Sequence, residues 1–214
     1  MDILYQDTRI VVAVKPAGVV STDEPGGMPE LLRAHLHTDC IRTVHRLDAQ
    51  VAGVMVFARS RVAASLLSQQ IREHRFSKEY LAVLCGTPTQ PADTLTDLLA
   101  RDTRRRVTYV ADAPSPDTRE ARLFYDTVDS ADGLTLVRVR LHTGRTHQIR
   151  VQFASRGLPL SGDRKYGASD APWPIALWSY RLSFAHPQTG EAMTFACLPP
   201  DTAPWTRFTL PDTL

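Results

Sequence analysis

Residues able to do chemistry gather in three short runs of this 214-residue chain: His45-Arg46-Leu47-Asp48, Lys78-Glu79-Tyr80 and Gly144-Arg145-Thr146-His147-Gln148-Ile149-Arg150. Asp48 follows a short apolar-polar alternation and sits on a loop that leads through Gly53 into an apolar run, GVMVFA at 53–58. A carboxylate so placed can attack as a nucleophile or take a proton as a base, although an aspartate on a loop is ordinarily a turn-former or a cap. Read alone, Tyr80 is a packed strand aromatic and Arg145 a surface cation. His35, His37 and His45 raise a second chemistry, metal-assisted hydrolysis. The i, i+2 spacing of the first two points them to different sides of a helix, and no cysteine or carboxylate set completes a site, so exposed histidines are expected. Cys40, Cys85 and Cys197 are odd in number and widely spaced, with no CxxC pair, and read as free buried thiols.

The elements that must position these groups follow from periodicity. Residues 3–5 and 10–14 alternate around the polar turn Gln6-Asp7-Thr8-Arg9 and predict a hairpin closed by Lys15-Pro16-Ala17-Gly18. A short helix is expected over 29–37, with Pro29 at a first position that needs no amide hydrogen. After the 53–58 strand, Ser60 reads as an N-cap for a helix to about residue 75, whose stripe Ala63, Leu66, Leu67, Gln70, Ile71 and His74 should pack on a sheet. Residues 76–85 have strand character, and the proline-rich stretch from 88 to 116 reads as irregular connection around a short strand at 107–110. Strands at 120–128 and 134–141 flank the turn Ser130-Ala131-Asp132-Gly133, a helix is expected over 145–155 with Gly157 as its stop, and late strands fall at 176–184 and 193–197. Strand runs with a few interspersed helices predict an α+β domain over 1–214, a mixed and mostly antiparallel sheet with peripheral helices.

Four ordered stretches then resemble the RluA-type pseudouridine synthases. They are Lys15-Pro16-Ala17-Gly18, then Val44-His45-Arg46-Leu47-Asp48 with Gly53, then Lys78-Glu79-Tyr80-Leu81-Ala82-Val83, and finally Gly144 to Arg150 with Gly162-Asp163 and Tyr166-Gly167. The resemblance implies a central antiparallel sheet, a positively charged cleft, and no metal or organic cofactor. It makes Asp48 the catalytic residue, Tyr80 the contact to the target base, and Arg145 the partner of the aspartate. At the start of the expected helix, a fixed guanidinium would favour the ionised carboxyl. Two positions depart from the pattern: Val51-Ala52 replaces the usual Thr-Ser, and Gln152 stands where a histidine is frequent.

The implied reaction breaks the bond from ribose carbon 1′ to uracil nitrogen, turns the uracil, and joins its carbon 5 to the same ribose carbon. Asp48 serves either as nucleophile at carbon 1′ or as base at the 2′ position, and both remain open. A stacked uracil must be extruded at a cost of a few kcal/mol, offset by backbone contacts and stacking. Arg46, Ile149, Arg150, Arg164 and Lys165 are expected to bind substrate, and the knot Arg104-Arg105-Arg106 to add phosphate contacts. The net charge of +2 and pI near 8.5 fall short of a nucleic-acid binder's usual excess. Arg138, Arg140, Arg145, Arg150, Arg156, Arg164 and Lys165 nevertheless crowd one stretch that holds a single acid, Asp163. The expected partner is structured RNA, ribosomal or transfer, met by a cytoplasmic monomer; no run approaches a membrane span and the first residues lack a signal peptide. A catalytically silent RNA-binding module of the same fold is the alternative.

Overall fold

A computed structural model of the chain describes residues 2–167 and 170–212. In chain order its elements are β1 (Ile3–Gln6), β2 (Ile10–Lys15), α1 (Met28–Leu36), β3 (Arg42–Thr43), β4 (Ala52–Ala58), α2 (Arg61–Arg72), β5 (Ser77–Cys85) and β6 (Ala92–Asp102). There follow β7 (Val107–Val110), β8 (Arg119–Ala131), β9 (Leu134–Leu141), α3 (Gln148–Ala154), β10 (Leu177–Ala185), β11 (Ala192–Ala196) and a 3-10 turn, Trp205–Arg207. These elements make an α+β fold in which β4 runs parallel to β10, while β1–β2, β2–β4, β3–β4, β5–β9, β6–β7, β6–β8, β8–β9 and β10–β11 pair antiparallel. The chain divides into two compact units, one formed by the described residues of 1–78 and 178–199, the other by 79–177 and 200–212.

In the first unit, β4 pairs with β2 along one edge and with β3 and β10 along the other, while β11 extends from β10. Alternate residues of three strands, Ile10 and Val12, Val54 and Val56, Leu182 and Phe184, meet Ala63 and Leu67 of α2 in one apolar cluster with Phe76. The intervening Val11, Ala13, Met55 and Phe57 are also fully buried, which is why 53–58 is a continuous apolar run and not an alternating one. Ser60 caps α2 as expected, its hydroxyl accepting from the Ala63 amide at 3.1 Å. The helix stops at Arg72, and its buried stripe is narrower than the sequence suggested. Leu66 is partly exposed and His74 lies beyond the helix in solvent. Gln70 earns its buried place by exchanging two hydrogen bonds, at 2.8 Å each, with the backbone of Ala185.

The second unit is an antiparallel sheet in the order β5-β9-β8-β6-β7. Asp132 and Gly133 form the two-residue turn between β8 and β9 with φ of 53° and 75°. Two successive positive φ values give a turn whose twist suits a hairpin, and Asp-Gly tolerates them. The largest correction is β6: an eleven-residue strand occupies the stretch expected to be irregular. Its sequence, ADTLTDLLARD, has no valine, isoleucine or aromatic and carries three aspartates. Pairing with β8 on one side and β7 on the other specifies it, and tertiary pairing routinely overrides strand propensity. Leu99 of β6, Ala121 of β8 and Val151 of α3 pack together.

The third helix is shorter than expected and begins at Gln148, so Arg145 lies in the loop before it. His147 adopts a left-handed conformation (φ 55°) that cannot continue a helix backwards. The Gln148 side chain instead closes this loop, its Oε1 accepting from the Arg145 amide at 3.0 Å and from the Thr143 hydroxyl at 2.8 Å. Gly157 ends the helix with φ 73°, as its position in the sequence implied. The three cysteines are free but half-buried, not buried. Among the described residues no helix is long and apolar enough to cross a membrane.

Candidate active site

The Asp48 loop belongs to the first unit. β3 pairs with β4 only at Arg42 and Thr43, after which the chain leaves the ladder. A side chain then takes over, for His45 Nε2 accepts from the Val56 amide of β4 at 3.2 Å. An accepting Nε2 puts the ring proton on Nδ1. Burial, with a smaller contribution from the Lys78 charge, drives the His45 pKa down to about 3, so the ring is neutral. His45 is therefore a buried structural group tilted against Phe76 at 5.6 Å, not the exposed histidine expected. Among the described residues no group of histidine, cysteine and carboxylate side chains could hold a metal ion.

Backbone contacts fix both flanks of Asp48. The Ser21 hydroxyl accepts from the Leu47 amide at 3.0 Å and donates to the Leu47 carbonyl at 2.8 Å. On the other side the Val51 amide donates to the Asp48 carbonyl at 3.0 Å, closing a turn over 48–51. The Ala49 carbonyl accepts from the Gly18 amide at 2.8 Å and from Lys15 Nζ at 3.0 Å. Lys15, at 0% exposure, spends its remaining donors on the carbonyls of Pro16 and Val19. Burial lowers its pKa to about 8, and the Asp48 charge opposes that fall. Asp48 itself is half-buried and Arg46 is exposed.

The remaining candidates belong to the second unit. Tyr80 of β5 is 5% exposed and pairs across to Val139. Arg145 is exposed, its Nε donating to the Glu120 carbonyl at 3.0 Å. Ile149 is 4% exposed on α3. Arg150, expected to meet RNA, is instead committed to a buried ion pair: two 2.8 Å hydrogen bonds join its guanidinium to Asp163, and the two side chains are 9% and 1% exposed. The same guanidinium lies over the Tyr166 ring at 5.1 Å. The Tyr166 hydroxyl accepts from the Thr108 amide at 2.8 Å and joins His147 Nδ1 at 2.7 Å. Burial raises the Tyr166 pKa, keeping that hydroxyl protonated.

Pairing also redistributes the crowded cations. Arg138 and Arg140 of β9 face Asp126 of β8 and Glu79 of β5 across the sheet, at 2.8 and 3.3 Å, and Arg156 pairs with Asp97 of β6 at 2.9 Å. Arg164 and Lys165 stay exposed beside the equally exposed turn Arg104-Arg105-Arg106, to which Lys165 Nζ is tied through the Arg106 carbonyl at 2.8 Å.

Both departures from the family pattern have local accommodations. Val51 is buried and contributes the amide that closes the Asp48 turn, a contact that needs no side-chain hydroxyl. Gln152 donates to Asp97 at 2.7 Å and to the Ala121 carbonyl at 3.2 Å, anchoring α3 on β6 and β8. Gly53 is required by packing: a Cβ there would stand 2.3 Å from the Ser179 carbonyl oxygen of β10, at a φ of 122°. Ser21 escaped the sequence reading, and nothing in VVSTD distinguishes a serine that clasps a distant peptide from a turn residue.

A family profile described as RNA pseudouridylate synthase matches residues 9–155. The chain is 35% identical over 213 residues to the dual-specificity RNA pseudouridine synthase RluA of Escherichia coli, covering 90% of each. It is 34% identical over 204 residues to the uncharacterised RNA pseudouridine synthase YhcT of Bacillus subtilis, covering 89% of this chain and 66% of that one. Human RNA pseudouridylate synthase domain containing 1 shares the fold, with a TM-score of 0.79 at 23% identity over 94% of this chain and 84% of that one. The chain belongs to the RNA pseudouridylate synthase family, in its RluA-type branch. Its activity is therefore that of an isomerase acting on RNA uridine.

Proposed function

We propose that Asp48 is the carboxylate that isomerises uridine, and the observation carrying this is that a half-buried acid has both its backbone flanks held by named hydrogen bonds. Such support is what a reacting group needs, since a small misplacement of a nucleophile or base costs orders of magnitude in rate. Both routes begin from the ionised carboxylate, one forming a bond to ribose carbon 1′ and the other removing the 2′ proton. Either way the bond from carbon 1′ to nitrogen breaks and uracil turns; carbon 5 then bonds to carbon 1′, displacing the carboxylate in the first route or with the proton returned to carbon 2′ in the second, and the hydrogen of carbon 5 leaves as a proton while the freed ring nitrogen takes one up. Tyr80 as the contact to the base and Arg145 as the cation that favours ionised Asp48 rest on the family motifs that contain them. Arg46 and Ile149 complete the substrate set, and Arg164, Lys165 and the turn at 104–106 are the cations proposed to meet phosphate. Ribosomal or transfer RNA, met in the cytoplasm by a monomer with 1–214 acting as the catalytic domain, is the proposed setting.

The test is release of tritium from RNA labelled at uracil carbon 5, run with chelator present. Wild-type protein should release label and Asp48→Asn should not, with RNA affinity and thermal unfolding unchanged. Release by Asp48→Asn at the wild-type rate would remove Asp48 from the mechanism.

A further inference from the structure

We propose that Ser21 is a positioning residue for the reacting carboxylate, acting through the peptide group that joins Leu47 to Asp48. This rests on the assignment of Asp48 above. The Ser21 side chain is 3% exposed, and its one hydroxyl both receives the Leu47 amide hydrogen (3.0 Å) and donates to the Leu47 carbonyl (2.8 Å). A hydroxyl has one proton and can accept as well, so a single side chain does here what a neighbouring strand would do with two backbone groups.

The geometric consequence is specific. A peptide unit is planar, so fixing the Leu47 carbonyl orients the plane that ends at the Asp48 Cα. The next plane, which begins at the same Cα, is fixed by the Val51 amide on the Asp48 carbonyl at 3.0 Å. Together the two contacts set φ and ψ of Asp48 and leave only side-chain torsions to aim the carboxylate. Ser21 is itself anchored. Its carbonyl accepts from the Thr43 hydroxyl at 2.8 Å, and the adjacent Val20 carbonyl accepts from the amide of Met28, the first residue of α1, at 2.9 Å. The chain from 42 to 48 and the segment leading into α1 are thereby locked to each other at the point where the acid is presented.

The experiment measures single-turnover tritium release, RNA affinity and urea unfolding for the wild type, Ser21→Ala, Ser21→Thr, Ser21→Cys, Asp48→Asn and Thr135→Val. Thr135→Val removes a different buried hydroxyl, one that donates to the Gly86 carbonyl at 2.8 Å, and controls for lost stability. Ser21→Ala should slow turnover on the order of 10- to 100-fold. RNA affinity should stay within about twofold, and Ser21→Thr, which keeps the hydroxyl, should recover most of the rate. If Ser21→Ala fails to fold, Ser21→Cys, with its weaker and longer hydrogen bonds, is read in the same way. Wild-type turnover in the Ala or Cys variant, with Asp48→Asn inactive, would overturn the role of Ser21. So would an equal slowing by Thr135→Val, which would mark general destabilisation. An active Asp48→Asn would instead sink the assignment of the acid, so the two failures are separable.

Discussion

Replacing Lys15 by Met keeps most of the length of the side chain and removes the buried charge whose ammonium holds the Ala49 carbonyl of the Asp48 turn. In the folded protein the ammonium titrates near 8, against an ordinary value of 10.5. A depression of about 2.5 units corresponds to about 3 kcal/mol by which burial disfavours the charged form. The sign follows from proton counting. Between pH about 8 and about 10.5 the unfolded chain holds a proton that the folded chain has lost, so wild-type stability gains up to about 1.4 kcal/mol per pH unit there. Lys15→Met has no such group. Urea unfolding of both proteins from pH about 7 to about 10 should show the wild type gaining about 2.5 kcal/mol relative to the variant. Activity should run the other way. Above pH about 8 a neutral amine has two hydrogens for the three carbonyls of Pro16, Val19 and Ala49, so the 48–51 turn loosens and wild-type turnover declines. Stability rising while turnover falls over one pH window is not produced by general alkaline denaturation. Unfolding free energies that change in parallel for the two proteins would refute the reasoning, because they would mean that Lys15 is not buried in its charged form.

Four further outcomes are expected. Arg150→Met should lose about 3–5 kcal/mol, since it leaves the buried Asp163 carboxylate without the Arg150 guanidinium, while the salt dependence of RNA binding stays as in the wild type. Charge reversal at Arg104 and Lys165 together should do the opposite, lowering RNA affinity and its salt slope with little change in the urea midpoint. Gly53→Ala should cost about 2 kcal/mol or more by thermal unfolding, because the new methyl meets the Ser179 backbone and the φ of 122° is strained for any side chain. His45→Leu leaves the Val56 amide without its acceptor and should lose about 1–3 kcal/mol at neutral pH. With a folded pKa near 3 against 6.5, His45 also makes wild-type stability fall as pH drops from about 6.5 towards 3, and urea titrations of the variant should lack that component.

The elements most legible in the sequence are those whose own residues determine them. Ser60 before an amphipathic run, Asp132-Gly133 between two alternating strands and Gly157 after a helix each carry a local reason for the backbone that forms, and each stands where it was expected. β6 has no such signal. Apart from Thr94 and Thr96 its residues have little strand preference, and the prolines at 88, 91, 114 and 116 suggest irregular chain, but the strand arises from neighbours supplied by β7 and β8. The start of α3 failed for a different reason. Arg145, Thr146 and His147 are compatible with helix, and only the left-handed turn at His147, held by Gln148 reaching back to Arg145, moves the boundary by three residues.

The same distinction divides the candidate site. The motif residues could be named because their types and order repeat a pattern, yet the sequence does not say which cations are spoken for. Arg138, Arg140, Arg150 and Arg156 looked like one basic surface when read along the chain; antiparallel register set acids of β8 and β5 against the first two, and Asp97 of β6 meets Arg156 beyond the end of α3. Arg150 is closed off by Asp163, the lone acid of its own stretch. What remains exposed, Arg164 and Lys165 with the turn at 104–106, is a smaller basic surface formed by two segments that are some sixty residues apart in the chain and joined through Lys165. For the acid the relation is reversed. Asp48 stands out in the sequence and Lys15 lies within Lys15-Pro16-Ala17-Gly18, whereas Ser21 belongs to no motif; both Lys15 and Ser21 hold the Asp48 loop through its backbone atoms. Substitutions that spare every motif residue can therefore still disable the site, and the Ser21 variants are where that consequence is open to measurement.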